Sequence, residues 1–131
     1  MGTNYRASFG VQFQKEFVNY PLDQKKAVYE FVQTYQEHGL DDFSRFQGKI
    51  AASWRNATPE DEAYAREHNL WHYHVGLPIY EQSQYGDYMT SDWLLHFKWE
   101  SNEHIILVDI FQHSQSSGKF YLPSPTYLAT E

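Results

Sequence analysis

The sequence predicts a single α+β domain of 131 residues, with an N-terminal strand, two helices packed on one face of a sheet and an antiparallel β-meander. Three observations predict it. Apolar and polar side chains alternate in residues 7–13, apolar side chains recur at helical spacing between positions 21 and 39, and alternation returns in long runs beyond position 70. No repeat, low-complexity tract or dividing linker interrupts the chain.

Each element has a local cause. In residues 7–13, Phe9, Val11 and Phe13 share one phase, which reads as a strand. Pro21 suits the first turn of a helix. Val28, Phe31, Val32 and Tyr35 form its apolar stripe, and Gly39 is a good C-terminal stop. Thr58-Pro59 reads as an N-cap followed by proline, with Glu60, Asp61 and Glu62 at the positive helix end; this second helix runs to about Glu67. Trp71, Tyr73 and Val75 alternate with His72, His74 and Gly76, a strand with its apolar side chains toward the core. Residues 77–91, rich in Tyr, Gln, Ser and Gly, read as an exposed loop. Trp93, Leu95, Phe97 and Trp99 form the next strand, and residues 100–103 make a polar hairpin turn. Residues 104–112 are nearly continuously apolar, as expected of a strand inside the sheet. Residues 118–122 read as a short last strand ended by Pro123 and Pro125.

With 41% hydrophobic and 18% aromatic residues, the chain can bury one sizeable core. No apolar run of membrane-spanning length and no apolar N-terminal signal core is present, so a cytoplasmic protein with no membrane partner is expected. The absence of cysteine excludes disulfides, thiolate metal sites and a cysteine nucleophile. A net charge of −7 excludes a generally basic nucleic-acid binder. The charge is uneven, however: residues 1–58 carry a net +1 and residues 59–131 a net −8. Residues 43–58 hold Arg45, Lys49 and Arg55 with no acid, which reads either as a solvated loop or as a local phosphate-binding patch.

The histidines are the candidate chemistry. His72 and His74 share one face of a strand, about 7 Å apart along it, and His96 has the same polar phase in the following strand. Three readings compete. The residues can line a wet sheet face; they can bind a metal with His96 or Glu81 as a third ligand; or they can transfer protons at an RNA phosphodiester. In the last case a neutral His takes the proton of the ribose 2′-hydroxyl. A protonated His gives one to the leaving 5′-oxygen, and a Lys or Arg stabilises the phosphorane. An imidazole titrating near neutrality fits both roles, and no metal or cofactor is required. Asp109 shares a strand phase with Ile105, Leu107 and Phe111 and reads as a hydrogen-bonded structural acid. Tyr80, Tyr85, Tyr88 and Trp93 are rings able to stack on unpaired bases, anchor a protein partner or pack their own loop.

Three stretches carry a resemblance. The first runs Phe31-Val32-Gln33-Thr34-Tyr35-Gln36-Glu37-His38-Gly39-Leu40-Asp41-Asp42-Phe43, and the second is Trp71-His72-Tyr73-His74-Val75-Gly76. The third is Thr90-Ser91-Asp92-Trp93-Leu94-Leu95-His96-Phe97 with the apolar strand that follows. With the element order, they resemble the RelE/ParE superfamily of bacterial toxin–antitoxin systems, and within it the YafO-type mRNA interferases. The resemblance implies a RelE-like fold and an endoribonuclease that cuts mRNA on the ribosome, inhibits translation and is silenced by a cognate antitoxin. It implies catalytic roles for His74 and His72, for Asp92 of an Asp-Trp pair with Trp93, and for His113. Gln112 stands where relatives place an Arg, so Lys98, Arg55 or Lys49 is expected to take its charge role. The acidic balance favours the alternative, a non-catalytic protein-binding module such as an immunity or antitoxin-like protein of the same fold.

Overall fold

The computed structural model describes residues 5–40, 42–46, 48–55, 57–75, 81–82, 89–90, 93–112 and 122–128. Strands β1 (Arg6–Phe9), β2 (Ile50–Ala52), β3 (Leu70–His74), β6 (Trp93–Ser101) and β7 (His104–Gln112) form one sheet in the order β1-β7-β6-β3-β2. β1 joins β7 in parallel, and the other pairings are antiparallel. A separate two-stranded pair joins β4 (Glu81–Gln82) to β5 (Met89–Thr90), within the stretch expected to be a loop. The helices are α1 (Val11–Phe17), α2 (Leu22–His38), α3 (Pro59–Glu67) and α4 (Pro125–Leu128). The architecture is therefore mixed α+β with a mostly antiparallel open sheet. The last strand expected at residues 118–122 falls mainly outside the described residues.

The N-terminal alternation ends early. β1 stops at Phe9, and the amide of Gly10 donates to Leu107 before the chain turns into α1. Phe9, Phe13 and Phe17 are spaced by four, and their rings meet with centroids 5.0–5.7 Å apart. That helical spacing prevails over the two-residue alternation of Phe9, Val11 and Phe13. α2 and α3 lie close to their expected spans. Val28, Phe31 and Tyr35 are the buried residues of α2, and the Thr58 hydroxyl accepts from the Asp61 amide at the start of α3.

The helices do not all cover one face. The main core joins Phe13, Phe17, Val28, Phe31 and Tyr35 to Tyr73, Leu95, Phe97, Ile105, Leu107 and Ile110. On the opposite face Ala65 of α3 and Leu128 of α4 pack with Leu70, Ile106 and Val108. Leu70 of β3 and Ile106 and Val108 of β7 thus give the second face an apolar patch that must also be covered. This corrects the expectation of helices on a single face.

Gly39 ends α2 with φ 67° and ψ −159°, while its amide donates to the Tyr35 carbonyl. That region of backbone space is essentially restricted to glycine. A Cβ at this position would also lie 2.5 Å from two carbons of the Tyr5 ring. Gly39→Ala is therefore expected to destabilise the protein by about 1–3 kcal/mol, read as a lower denaturation midpoint in urea.

At the start of the β1–β7 pairing, His104 joins the two strands. Its Nε2 lies 2.9 Å from the Ser8 hydroxyl, and its Nδ1 lies 3.4 Å from Arg6. Burial first, and then the Arg6 charge, hold the imidazole below its ordinary pKa of 6.5. The folded state thus disfavours the proton that the unfolded chain takes up below pH 6.5. The contribution is full above 6.5 and is lost as pH falls toward the folded value. Stability is expected to drop on acidification from pH 7.5 to 5.5, and His104→Gln to reduce that dependence in parallel thermal melts.

Candidate functional site

Strand register decides which polar groups meet. In the antiparallel pairings, His72 stands opposite Ala51 on β2 and opposite His96 on β6. His74 stands opposite Leu94, and its amide donates to the Lys49 carbonyl at 3.0 Å. Cross-strand partners share a face. Lys49, His72, His74 and His96 therefore lie on the face opposite α2. The His72 ring centroid is 6.0 Å from those of both His74 and His96.

These imidazoles are not wet. His72 and His74 are each 7% exposed and His96 is 0% exposed. The wet-face expectation fails because this face carries its own packed layer, with α3, α4 and Leu70, Ile106 and Val108. The Ser53 hydroxyl lies 2.9 Å from His72 Nδ1 inside that layer.

Asp109 also departs from its expected phase. Residues pair His96↔Asp109 and then Phe97↔Leu107, so Val108 is the extra residue of a β-bulge. The bulge moves Asp109 opposite His96 and sends Ile110 into the main core, where strict alternation would have reversed them. Asp109 is 3% exposed, and its carboxylate accepts from the Ile110 amide. Its charge also reaches the helices. Burial, followed by the charges of Asp109 and Glu16, holds the Tyr20 phenol above its ordinary range. Tyr127 donates to Glu16 at 2.8 Å and is pushed up to about 12 by burial, that hydrogen bond and the nearby carboxylates.

The remaining sequence candidates divide. Lys49 is the member of the basic stretch whose backbone meets the histidine strand, its carbonyl accepting from the His74 amide. Arg45 sits in a 3-10 turn (Phe43–Arg45), exposed and 3.8 Å from Asp42. The adjoining Phe43 and Phe46 pack toward Trp71, Trp99 and the main core, on the other layer. Arg55 is exposed in the turn after β2, beyond Ser53. The three cations therefore do not form one patch around the imidazoles. Lys98 shares the histidine face, opposite Leu70 and Ile106, with its ammonium 3.5 Å from Glu100. Trp93 is partly buried against the main core. Asp92 and His113 lie outside the described residues, as do Tyr80, Tyr85 and Tyr88.

Sequence reasoning missed Ser53. A serine two positions beyond Ala51 carries no signal until the β2–β3 register is known. Among the described residues, no three His, Asp or Glu side chains are placed to hold one metal ion, and no helix is long and apolar enough to cross a membrane.

The arrangement brings three imidazoles to one region of a sheet, with the Ser53 hydroxyl against His72 and Asp109 opposite His96. Imidazole is the side chain that general acid/base chemistry uses most often. No protein-family model, curated protein or solved structure matches the chain.

Proposed function

We propose that the protein is a toxin-type endoribonuclease of the RelE/ParE superfamily, most like the YafO-type interferases, which cleaves mRNA at the ribosome by general acid/base catalysis. The observation that carries the reading is the convergence of His72, His74 and His96, at centroid spacings of 6.0 Å, beside Lys49.

In this reading His72 and His74, each 7% exposed, contact the phosphodiester, while the fully buried His96 stands opposite His72 on the neighbouring strand. One of the pair, neutral, takes the 2′-hydroxyl proton as that oxygen attacks phosphorus. The other, protonated, delivers a proton to the 5′-oxygen as its bond to phosphorus breaks. The products are a 2′,3′-cyclic phosphate and a 5′-hydroxyl end. Lys49, whose carbonyl accepts from the His74 amide, takes the charge on the phosphorane in this reading. Asp92 and His113 complete the proposed catalytic set, and Arg45, Arg55, Trp93 and Lys98 the proposed RNA contacts. A cognate antitoxin and a cytoplasmic location belong to the same proposal.

A second reading is favoured by the net charge of −7 and by the burial of all three imidazoles: a non-catalytic module that binds a basic protein partner. Induced expression in a bacterial host separates the two. The nuclease reading expects growth arrest with fragmented mRNA, relieved by His74→Ala combined with His113→Ala. Full growth and intact mRNA with accumulated wild-type protein would falsify it. A stoichiometric basic protein in pull-down would then support the second reading.

A further inference from the structure

We propose that the cluster of Phe43, Trp54, Trp71 and Trp99, flanked by three arginines, is a platform for single-stranded nucleic acid. Unpaired bases stack on the rings, and phosphates pair with the guanidinium groups. The inference goes beyond the nuclease reading and stands whether or not the imidazoles cut.

The cluster gathers three of the chain's four tryptophans at one end of the sheet. Trp71 on β3 pairs with Phe97 on β6, and Trp99 follows two residues later on the same face. Asn69, with φ 52°, fixes that end. Its carbonyl accepts from the Trp99 amide at 3.0 Å, and its side-chain amide donates to the Trp99 carbonyl. Trp54 follows β2, whose last residue, Ala52, pairs with Trp71. Phe43 comes from the 3-10 turn. The ring centroids lie 4.8–6.3 Å apart at interplanar angles of 53–79°. An edge-to-face contact covers a face of one ring only, so the cluster does not spend its faces on mutual stacking. Phe43 is 38% exposed, and all three indoles are partly exposed. Trp71 and Trp99 pack on the main core and Trp54 on the second layer, so the platform wraps the end of the sheet.

The arginines identify the ligand. Arg66 of α3 holds its guanidinium over Trp54, 5.2 Å from the ring centroid. Arg55 follows Trp54 in the turn after β2, Arg45 shares the 3-10 turn of Phe43, and all three are exposed. Three of the chain's four arginines thus stand at one aromatic cluster, in a protein of net charge −7. Core packing of the rings calls for no such charge. Guanidinium groups pair with phosphate oxygens and stack on aromatic faces. Cationic side chains interleaved with aromatic ones are the means by which proteins hold unpaired strands. Arg45 lies 3.8 Å from Asp42, and Arg66 lies 3.4 Å from Glu62. Exposed pairs of this kind are weak and screened by salt, so a phosphate can take the carboxylate's place. A duplex keeps its base faces within its own stack and cannot offer them to the rings. The platform also adjoins the candidate site, since Ser53, next to Trp54, lies 2.9 Å from His72 Nδ1.

The test is a titration of the full-length protein with a short 2′-O-methyl oligouridylate, which lacks the hydroxyl that cleavage needs. Affinity is read from the anisotropy of a dye on the oligonucleotide, and stacking from the quenching of tryptophan fluorescence. Wild type is compared with Trp54→Leu and with the triple variant Arg45→Gln/Arg55→Gln/Arg66→Gln, each checked by thermal melt. Wild type is expected to bind saturably with quenching, and a duplex of the same length to give none. Trp54→Leu is expected to weaken binding by about fivefold or more. With three phosphate contacts, the logarithm of affinity should fall against that of salt with a slope of about −2, and the triple variant should flatten it. The arginine sites are exposed, so the triple variant supplies the reading should Trp54→Leu fail to fold. No binding by wild type, equal affinity in the folded variants or equal binding of the duplex would overturn the proposal. Oligonucleotide binding with mRNA left intact in cells would uphold the platform and remove the nuclease reading. Cleaved mRNA with no oligonucleotide binding would remove the platform alone.

Discussion

Replacing His74 with glutamine is expected to lower mRNA cleavage by about 10²–10⁴-fold, the range that a positioned proton-transfer group supplies. Glutamine keeps most of the volume and hydrogen-bonding capacity of the imidazole but cannot exchange a proton near neutral pH. The His74 amide, which donates to Lys49, is untouched by the change, so the β2–β3 pairing should survive. The variant should therefore melt close to wild type while failing to arrest growth. His104→Gln is the matched control. That residue begins β7, where it meets Ser8 and Arg6 at the β1 junction, and its loss should leave cleavage unchanged. A His74→Gln protein that cuts mRNA at near wild-type rate would remove His74 from the proposed chemistry.

The second large effect is on stability. Phe97→Ala is expected to cost about 3–5 kcal/mol, combining the lost transfer energy with the cavity left behind. Phe97 is 0% exposed on β6, with strands on both sides and the ring of Phe31 from α2 5.5 Å away. Little around it can collapse into the space. For a domain with a typical stability of about 5–15 kcal/mol, that is a large fraction of the whole. Urea denaturation should show a lower midpoint with an unchanged slope, since the surface exposed on unfolding is nearly the same. A loss below about 1 kcal/mol would mean that the β6–α2 contact is not the centre of the core.

What the sequence revealed depended on how local the cause was. α3 was legible because Thr58, Pro59 and the acids that follow act within one turn. The end of α2 at Gly39 was legible for the same reason. β6 and β7 showed in their apolar runs, and so did the short polar turn between them. α1 was misread because Phe9, Val11 and Phe13 fit a strand, while the spacing that decides the matter needs Phe17 as well. β2 was not anticipated: Ile50, Ala51 and Ala52 are too few for a pattern, and they become a strand only by pairing with β3. The candidate site divides along the same line. Alternation alone placed His72, His74 and His96 on a common phase. Their convergence, their burial and the switch of Asp109 onto their face come from register, a bulge and a second packed layer. None of these is a local property of the chain.

The acidic balance needs a place in any account of an RNA-cutting protein. Glu60, Asp61 and Glu62 lie in the first turn of α3, where they favour the helix dipole. Lys49 adjoins the histidine strand through its backbone. A single-sided approach of RNA to that edge is compatible with a net charge of −7, although it brings less counterion release than a basic surface would. Binding to the ribosome should accordingly weaken less steeply with added salt than that of a strongly basic nuclease.

The most direct test of the central claim is the chemistry of the ends made in cells. RNA from a bacterial culture expressing the wild-type protein would be ligated to adaptors specific for 5′-hydroxyl and 2′,3′-cyclic phosphate termini, with the His72→Gln/His74→Gln double variant alongside. The account predicts new paired ends of these two kinds within coding regions, present with wild type and absent with the variant. Cleavage that leaves 5′-phosphate and 3′-hydroxyl ends, or identical end maps for the two proteins, would contradict it.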